Sequence, residues 1–386
     1  CRRFATSAMG WRELFEAEVK ALIAEYMFSA NDQKFMARAL QLAAQGLYTT
    51  DPNPRVGCVL VRDGVIVGEG WHRKAGQAHA EVEALQHAGE SARGSTAYLT
   101  LEPCSHHGRT PPCVEALIKA GIAKVIVAIT DPNPLVNGQG MRALQAAGIT
   151  VASGLMQDQA EALNVGFIKR MTVGLPWVRV KLAASLDGRP ALANGVSQWI
   201  SSAESRADVQ HWRARSSAIL TGVGTVLADD PQLTVRDSAI ELMGRQPLRV
   251  ICDSQLRTPS TARLLQSEGV LIYTQSHPKL MGKAEVVRVA ADDKARVDLL
   301  AVLKDLALRG CNEVLVEAGA TLSGRLFELG LVDELLLYVA PVLLGQDACP
   351  LLKLPFIESM DQRITLKLLE SQSIGHDLRL RYQVQR

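Results

Sequence analysis

The chain has 386 residues, too many for one ordinary core, and that length points to two or three domains. Lys plus Arg number 42 against 40 Asp plus Glu, a balance that excludes the broad basic surface needed to grip nucleic acid or anionic lipid. With 47% apolar and 21% charged residues and no apolar run long enough to cross a bilayer, the composition is that of a folded protein outside the membrane.

Residues 1–35 show no compact apolar segment ending in a small-residue cleavage site, so a secretory signal is not supported. Glu13, Glu16, Glu18 and Glu25 speak against an organelle transit peptide, and no function is assigned to this extension. Residues 35–46 then read as an amphipathic helix closed by Gly46, and residues 56–68 as a hairpin turning at Asp63-Gly64. A helix over 80–87 and a strand over 97–101 follow. The helix over 112–120 has Pro112 in its first turn and Gly121 just past its end. A buried strand over 124–129, a helix over 141–147 capped by Gly148 and a strand over 149–152 complete one α/β unit.

A helix over 158–171 leads to Gly174-Leu175-Pro176, where the pattern breaks, so the domains are placed at 36–173 and 174–386. Strands recur at 178–183, 218–220, 249–252, 270–273, 313–317 and 334–339, with helices over 202–215 and 297–308. Residues 364–384 read as two antiparallel strands around Gly375.

The sharpest chemical signal is His79-Ala80-Glu81 followed by Pro103-Cys104 and Pro112-Cys113. One imidazole and two thiolates suit zinc and leave its fourth position open to water, whose pKa the metal lowers toward neutrality. Glu81 is placed to take that water's proton and pass it to a departing amine. H-x-E with paired cysteines is the pattern of zinc nucleobase deaminases, although Cys113 lies nine positions after Cys104 where C-x-x-C would put three. A closed structural zinc would need a fourth ligand, His106 or His107, and would have no use for Glu81. The seven scattered cysteines read as thiols in a reducing compartment, the cytoplasm, free for metal.

The second half lacks a G-x-G-x-x-G between strand and helix, so a Rossmann dinucleotide site is not indicated. Residues 316–324 leave a buried strand, turn through Gly319 and enter a helix whose free N–H groups could receive a phosphate; an ordinary connecting loop fits equally well. The glycine-bearing loop Thr221-Gly222-Val223-Gly224-Thr225 is similarly open.

The stretch from Glu102 to Cys113, with Asn53-Pro54, Gly70-Trp71-His72 and Asp131-Pro132-Asn133-Pro134, resembles the deaminase half of the bifunctional riboflavin-biosynthesis deaminase/reductases. Residues 181–189, Ser197-Gln198-Trp199-Ile200, residues 225–236 and the Glu317 loop are similar to that family's reductase half. The resemblance implies a cytidine-deaminase-like three-layer α/β domain followed by a dihydrofolate-reductase-like domain. It implies zinc on His79, Cys104 and Cys113, with Glu81 catalytic, and NADPH as the second cofactor. Carried over by position, the NADPH contacts are Ala183, Trp199, Thr225, Asp229, Ser254 and the run Gly319, Ala320, Thr321, Leu322, Ser323, Gly324 and Arg325. The sugar-phosphate substrate would meet Ser197, Arg213, Leu233, Arg236 and Glu317, the arginines offering forked donors to phosphate. Ser254 and Arg257 are candidates for the cofactor's 2′-phosphate.

The implied chemistry is hydrolytic loss of a ring amine from a diaminopyrimidinone ribosylamine phosphate, then hydride delivery to the sugar C1′ to give a ribitylamino product. The implied partner is that small phosphorylated pyrimidine, with no nucleic acid or membrane, in a homo-oligomer. Two other readings compete: a deaminase of nucleic-acid bases, disfavoured by the near-zero net charge, and a zinc-stabilised nucleotide-sensing module without turnover, which Glu81 argues against.

Overall fold

A computed structural model describes residues 28–105, 112–134 and 136–385. The chain divides into two compact units between Ile168 and Lys169. Residues 1–27, with most of the extension, and His106 and His107 lie outside the described residues.

The first unit is a three-layer α/β/α sandwich on a five-stranded sheet of order β2-β1-β3-β4-β5. Helix α1 (Ala30–Gln45) starts at Ala30 rather than Phe35, because Ser29 and Asp32 form a reciprocal capping box that satisfies its first N–H groups. The hairpin of β1 (Gly57–Arg62) and β2 (Val65–Trp71) turns at Asp63 and Gly64, with φ of 52° and 77°, the left-handed pair that matches strand twist. Strand β3 (Thr96–Leu101) joins β1 antiparallel, while β4 (Lys124–Ile129) and β5 (Thr150–Ser153) extend the sheet in parallel. One face buries Cys58, Leu60, Leu99, Val125 and Val127 against α2 (Ala80–Ala88), α3 (Cys113–Ala120) and α4 (Gln139–Ala146). On the other face Phe35 of α1 meets the Tyr98 ring at 5.4 Å.

The single helix expected over 158–171 is two, α5 (Gln157–Leu163) and α6 (Val165–Val173), broken at Asn164. The buried Asn164 amide accepts from the Arg55 amide and donates to its carbonyl, both at 2.9 Å. That pairing draws the backbone out of helical geometry at one point, a tertiary demand no local pattern carries.

The second unit is built on a nine-stranded sheet of order β10-β9-β8-β7-β11-β6-β12-β14-β13. Its strands are β6 (Trp177–Ser185), β7 (Ala218–Gly222), β8 (Leu248–Cys252), β9 (Val270–Thr274), β10 (Glu285–Arg288), β11 (Glu313–Val316), β12 (Glu334–Ala340), β13 (Leu366–Ile374) and β14 (Asp377–Val384). Every pairing from β10 to β12 is parallel, and the β13–β14 hairpin closes one edge antiparallel. Strand β10 was not expected from the sequence: four residues of half-exposed edge carry too short a pattern. Helices α9 (Leu299–Leu308) and α10 (Ala320–Glu328) cover the face made by Val178, Val180, Leu220, Val314 and Val316. Helix α7 (Ala203–Arg215) brings Val209 and Trp212 onto Leu315, Leu336 and Tyr338 of the opposite face. Helix α8 (Val223–Asp229) follows β7 directly and packs Val226 against Ile251 and Ile272.

Beneath α7 the sheet is charged. Arg179 is fully buried and binds Glu313 at 3.1 Å and Glu334 at 2.8 Å, while Arg215 and Arg381 close the network at 2.7 and 2.8 Å. Its guanidinium lies 4.7 Å from the Trp212 ring centre. Glu334 is held down to about 2: burial would raise it, but Arg179 and then Arg381 outweigh burial. Among the described residues no helix is long and apolar enough to cross a membrane.

Candidate functional site

In the first unit the site begins where α2 starts. His79 is the N-cap residue in extended conformation, with no side-chain cap bond, so its ring is free to point away from the helix. Gly70 on β2 permits this approach: a Cβ there would stand 2.4 Å from the Ala80 carbonyl. Cys104 follows β3, and Cys113 opens α3 just after Pro112, which takes the N-cap position where the first turn was expected. The Val114 amide donates to the Cys104 carbonyl at 3.3 Å, and the Cys113 amide donates to the Cys104 sulfur at 3.3 Å. The first N–H group of α3 thus meets the Cys104 sulfur and the second holds its backbone.

The ligand atoms of His79, Cys104 and Cys113 all lie within 4.8 Å of one another. His79 turns Nδ1 toward both sulfurs, 3.2 Å from Cys113 and 3.6 Å from Cys104. The Cys113 thiol, its amide and the His79 ring stabilise Cys104 as thiolate and pull its thiol down to about 4 against burial. Cys113 is pushed well above the ordinary range, first by giving its proton to that bond and then by burial and Glu81. A second anionic sulfur crowded here calls for a cation. One nitrogen and two sulfurs converging with a fourth side open match the donor set of a catalytic zinc.

Glu81, in the first turn of α2, is 3% exposed, with its carboxylate beside the Cys113 sulfur. Burial, followed by the Cys104 charge, raises it to about 6, with His79 pulling the other way. Two residues quoted only within motifs belong to this neighbourhood. The His72 ring stands edge-on to His79 at 5.3 Å between ring centres; Nδ1 meets the Ala78 carbonyl at 3.0 Å and Nε2 meets the Asn53 amide at 3.0 Å. Burial lowers the His72 pKa, favouring the neutral form beside His79. The signal for this pair was the histidine seven positions before His79, which has no metal-ligand spacing of its own. The six described cysteines are all free.

In the second unit Glu317 leaves β11 and is tied by its backbone to β7, its amide donating to Leu220 at 3.0 Å and its carbonyl accepting from Thr221 Oγ1 at 2.8 Å. Arg213 grips the Glu317 carboxylate through both Nε and Nη2, at 2.7 and 2.9 Å, and donates a third bond to the Thr234 carbonyl. The forked donor read from the sequence as a phosphate holder is therefore engaged with Glu317. Burial would raise Glu317, but Arg213, Lys181 and Arg236 keep it below its ordinary value. Lys181, beside it, is lowered by burial against the pull of Glu317, and its ammonium lies 5.6 Å from the Tyr338 ring centre. Arg236 is exposed, and its guanidinium meets Gln232 at 3.5 Å.

The other positions are spread around the ends of the strands. Ala183 is on β6 beside Tyr338, Thr225 and the exposed Asp229 are on α8, and Leu233 is buried at φ 51°. Trp199 is exposed and stacks on Arg206 at 4.4 Å, and Ser197 sits in the same loop. Ser254 follows β8 and accepts from the Val297 amide at 3.1 Å. Gly319 is the N-cap of α10 and brings no capping side chain to its first N–H groups, and Thr321 is exposed with Ala320 and Leu322 half-buried. Ser323, Gly324 and Arg325 are buried. Ser323 donates to the Ala318 carbonyl, a Cβ on Gly324 would stand 2.2 Å from the Lys353 carbonyl, and Arg325 pairs with Asp292, Asp293 and Glu328.

Two family profiles match the chain: "RibD C-terminal domain" over residues 176–380, and "Cytidine and deoxycytidylate deaminase zinc-binding region" over residues 29–129. The riboflavin biosynthesis protein RibD of Escherichia coli (strain K12) is 50% identical over 90% of this chain and 98% of its own. The chain belongs to the RibD family. RibD of Haemophilus influenzae is 49% identical over 92% of this chain and 98% of its own. Among solved structures, Acinetobacter baumannii RibD superposes with a TM-score of 0.87 at 48% identity, covering 92% of this chain and 99% of that one. The Thermotoga maritima diaminohydroxyphosphoribosylaminopyrimidine deaminase/5-amino-6-(5-phosphoribosylamino)uracil reductase gives 0.82 at 32% identity, with the same coverage. As a RibD, the chain is a bifunctional enzyme of riboflavin biosynthesis, with a zinc-binding deaminase domain and a reductase domain. Its fold is the cytidine-deaminase-like and RibD-reductase pair of α/β domains.

Proposed function

We propose that the first domain, 36–173, deaminates 2,5-diamino-6-(5-phosphoribosylamino)pyrimidin-4-one, and that the second, 174–386, reduces the ribosyl group of the product with NADPH to 5-amino-6-(5-phosphoribitylamino)uracil. The observation that carries the first step is the convergence of His79, Cys104 and Cys113 with the buried carboxylate of Glu81 against one of the ligands. His79 Nδ1 and the two sulfurs would hold zinc, which when bound supplies Lewis acidity and lowers the pKa of its water. Glu81 is the catalytic residue: its carboxylate takes a proton and delivers it to the departing amine. Burial excludes bulk water from that transfer and keeps the carboxylate facing the cluster.

For the second step, NADPH supplies the hydride, bound against Ala183, Trp199, Thr225, Asp229, Ser254 and the open turn from Gly319 to Leu322. Ser197 and Leu233 flank the substrate in this reading. Glu317, oriented by Arg213, faces the sugar, while the open guanidinium of Arg236 anchors its phosphate. Exposed leucines on edge strand β13, Leu366, Leu368 and Leu369, support assembly with like subunits. Glu81→Gln tests the first role. The amide cannot carry the proton, so ammonia release falls by about 10²–10⁴-fold while zinc content and NADPH oxidation on the deaminated substrate persist. Unchanged ammonia release contradicts the assignment.

A further inference from the structure

Between β3 and Cys104 lies a buried carboxylate with a different task. Glu102 is 3% exposed, and its amide continues the sheet by donating to the Ile129 carbonyl at 3.0 Å. Its side chain accepts three backbone amides from the segment beyond β4. Oε2 takes Asp131 at 3.1 Å and Gly138 at 2.8 Å, and Oε1 takes Met141 at 3.2 Å. Gly138 is the N-cap of α4, in left-handed conformation and with no capping side chain of its own, so Glu102 serves as the cap from another element. The close approach of α4 is locked by Gly140, where a Cβ would stand 2.3 Å from the Pro103 carbonyl. The Pro103-Cys104 peptide is thereby held from two sides, by α4 through Glu102 and Gly140 and by α3 through the Cys113 and Val114 amides.

We propose that Glu102 is a positioning residue of the metal centre, fixing the backbone from which Cys104 offers its sulfur. It acts through α4 and Pro103, two residues removed from the ligand, and it touches neither the metal ligands' donor atoms nor the reacting groups. A carboxylate suits the task because each oxygen is an acceptor facing N–H groups. Glutamine would turn an NH₂ toward either the Met141 amide or the Asp131 and Gly138 amides. Partners that orient metal ligands typically contribute about 10–100-fold to metal affinity or activity. The proposal rests on the reading of His79, Cys104 and Cys113 as zinc ligands.

The test compares zinc-loaded wild type with Glu102→Ala, Glu102→Gln and Gly140→Ala, the last perturbing the same contact from the other side. Zinc transfer to a colorimetric chelator is timed, deaminase kcat and KM are measured at saturating zinc, and reductase turnover in the same chain reports intact folding of the other unit. Glu102→Ala is expected to release zinc at least tenfold faster and lose kcat more than KM. Glu102→Gln should be intermediate, Gly140→Ala should follow the alanine variant, and reductase turnover should stay within twofold. Should Glu102→Ala not fold, the Gln and Gly140→Ala variants carry the same comparison. Wild-type zinc release and kcat in variants that merely melt at lower temperature would overturn the proposal and leave Glu102 a structural cap. Wild-type enzyme that binds no zinc at all would instead overturn the metal reading on which it rests.

Discussion

Arg213 and Arg236 look interchangeable as phosphate donors until their surroundings are compared. Arg213 is mostly buried, and both edges of its fork meet Glu317, so removing it would strand a buried carboxylate and disturb the whole second site. Arg236 is exposed and open. Arg236→Ala is therefore expected to raise the reductase KM by about 10- to 100-fold, the weight of one lost charge-assisted anchor of roughly 1.5–3 kcal/mol, with kcat changed far less. Steady-state kinetics on the phosphorylated deaminated substrate check this, and an unchanged KM removes Arg236 from the phosphate site. The same residue scale shows what was legible. The convergence of His79, Cys104 and Cys113 was legible because a metal site needs particular donor atoms, and Glu81 was picked out by lying two positions beyond His79. The engagement of Arg213 was hidden, since Glu317 lies 104 positions away and only the fold makes them partners.

At the scale of elements, most helices and strands of the first unit follow from apolar periodicity and from turn residues such as Gly64 and Gly121. The misreadings have specific causes. The break at Asn164 comes from a buried bond to Arg55, and the early start of α1 comes from the Ser29–Asp32 box, which the apolar pattern does not register. Strand β6 was legible as a strand, but the cover over the face of Arg179 and Lys181, which alternate with Val178, Val180 and Leu182, was not. In the structure that face is covered by α7, and Arg179 survives there because Glu313 and Glu334 arrive on the neighbouring strands. This gives a pH prediction with a definite sign. Glu334 is held at about 2 in the fold against an ordinary 4.5, so its ion pairs stabilise fully above the ordinary value. That stability, on the order of 3 kcal/mol, is lost as pH falls from about 4.5 toward 2. Acid titration of unfolding free energy checks it: Glu334→Gln should flatten the slope over that window, and an unaltered slope contradicts the assignment.

On the scale of the whole molecule, two cores each carry their own chemistry, and the cited relatives match along 90% or more of the chain, across both units. The division into two units, with the His79, Cys104 and Cys113 cluster in one and a charged cluster in the other, predicts a clean separation of requirements. Zinc should matter only to the first reaction and NADPH only to the second. The most direct measurement is a coupled assay on the diaminopyrimidinone substrate that follows ammonia and NADPH absorbance together, with and without a zinc chelator. The expected result is one ammonia released and one NADPH oxidised per substrate. After chelation both should stop on that substrate, with NADPH oxidation retained on the deaminated one. Continued ammonia release from thoroughly zinc-depleted protein, or NADPH consumption with no ammonia, would contradict the account.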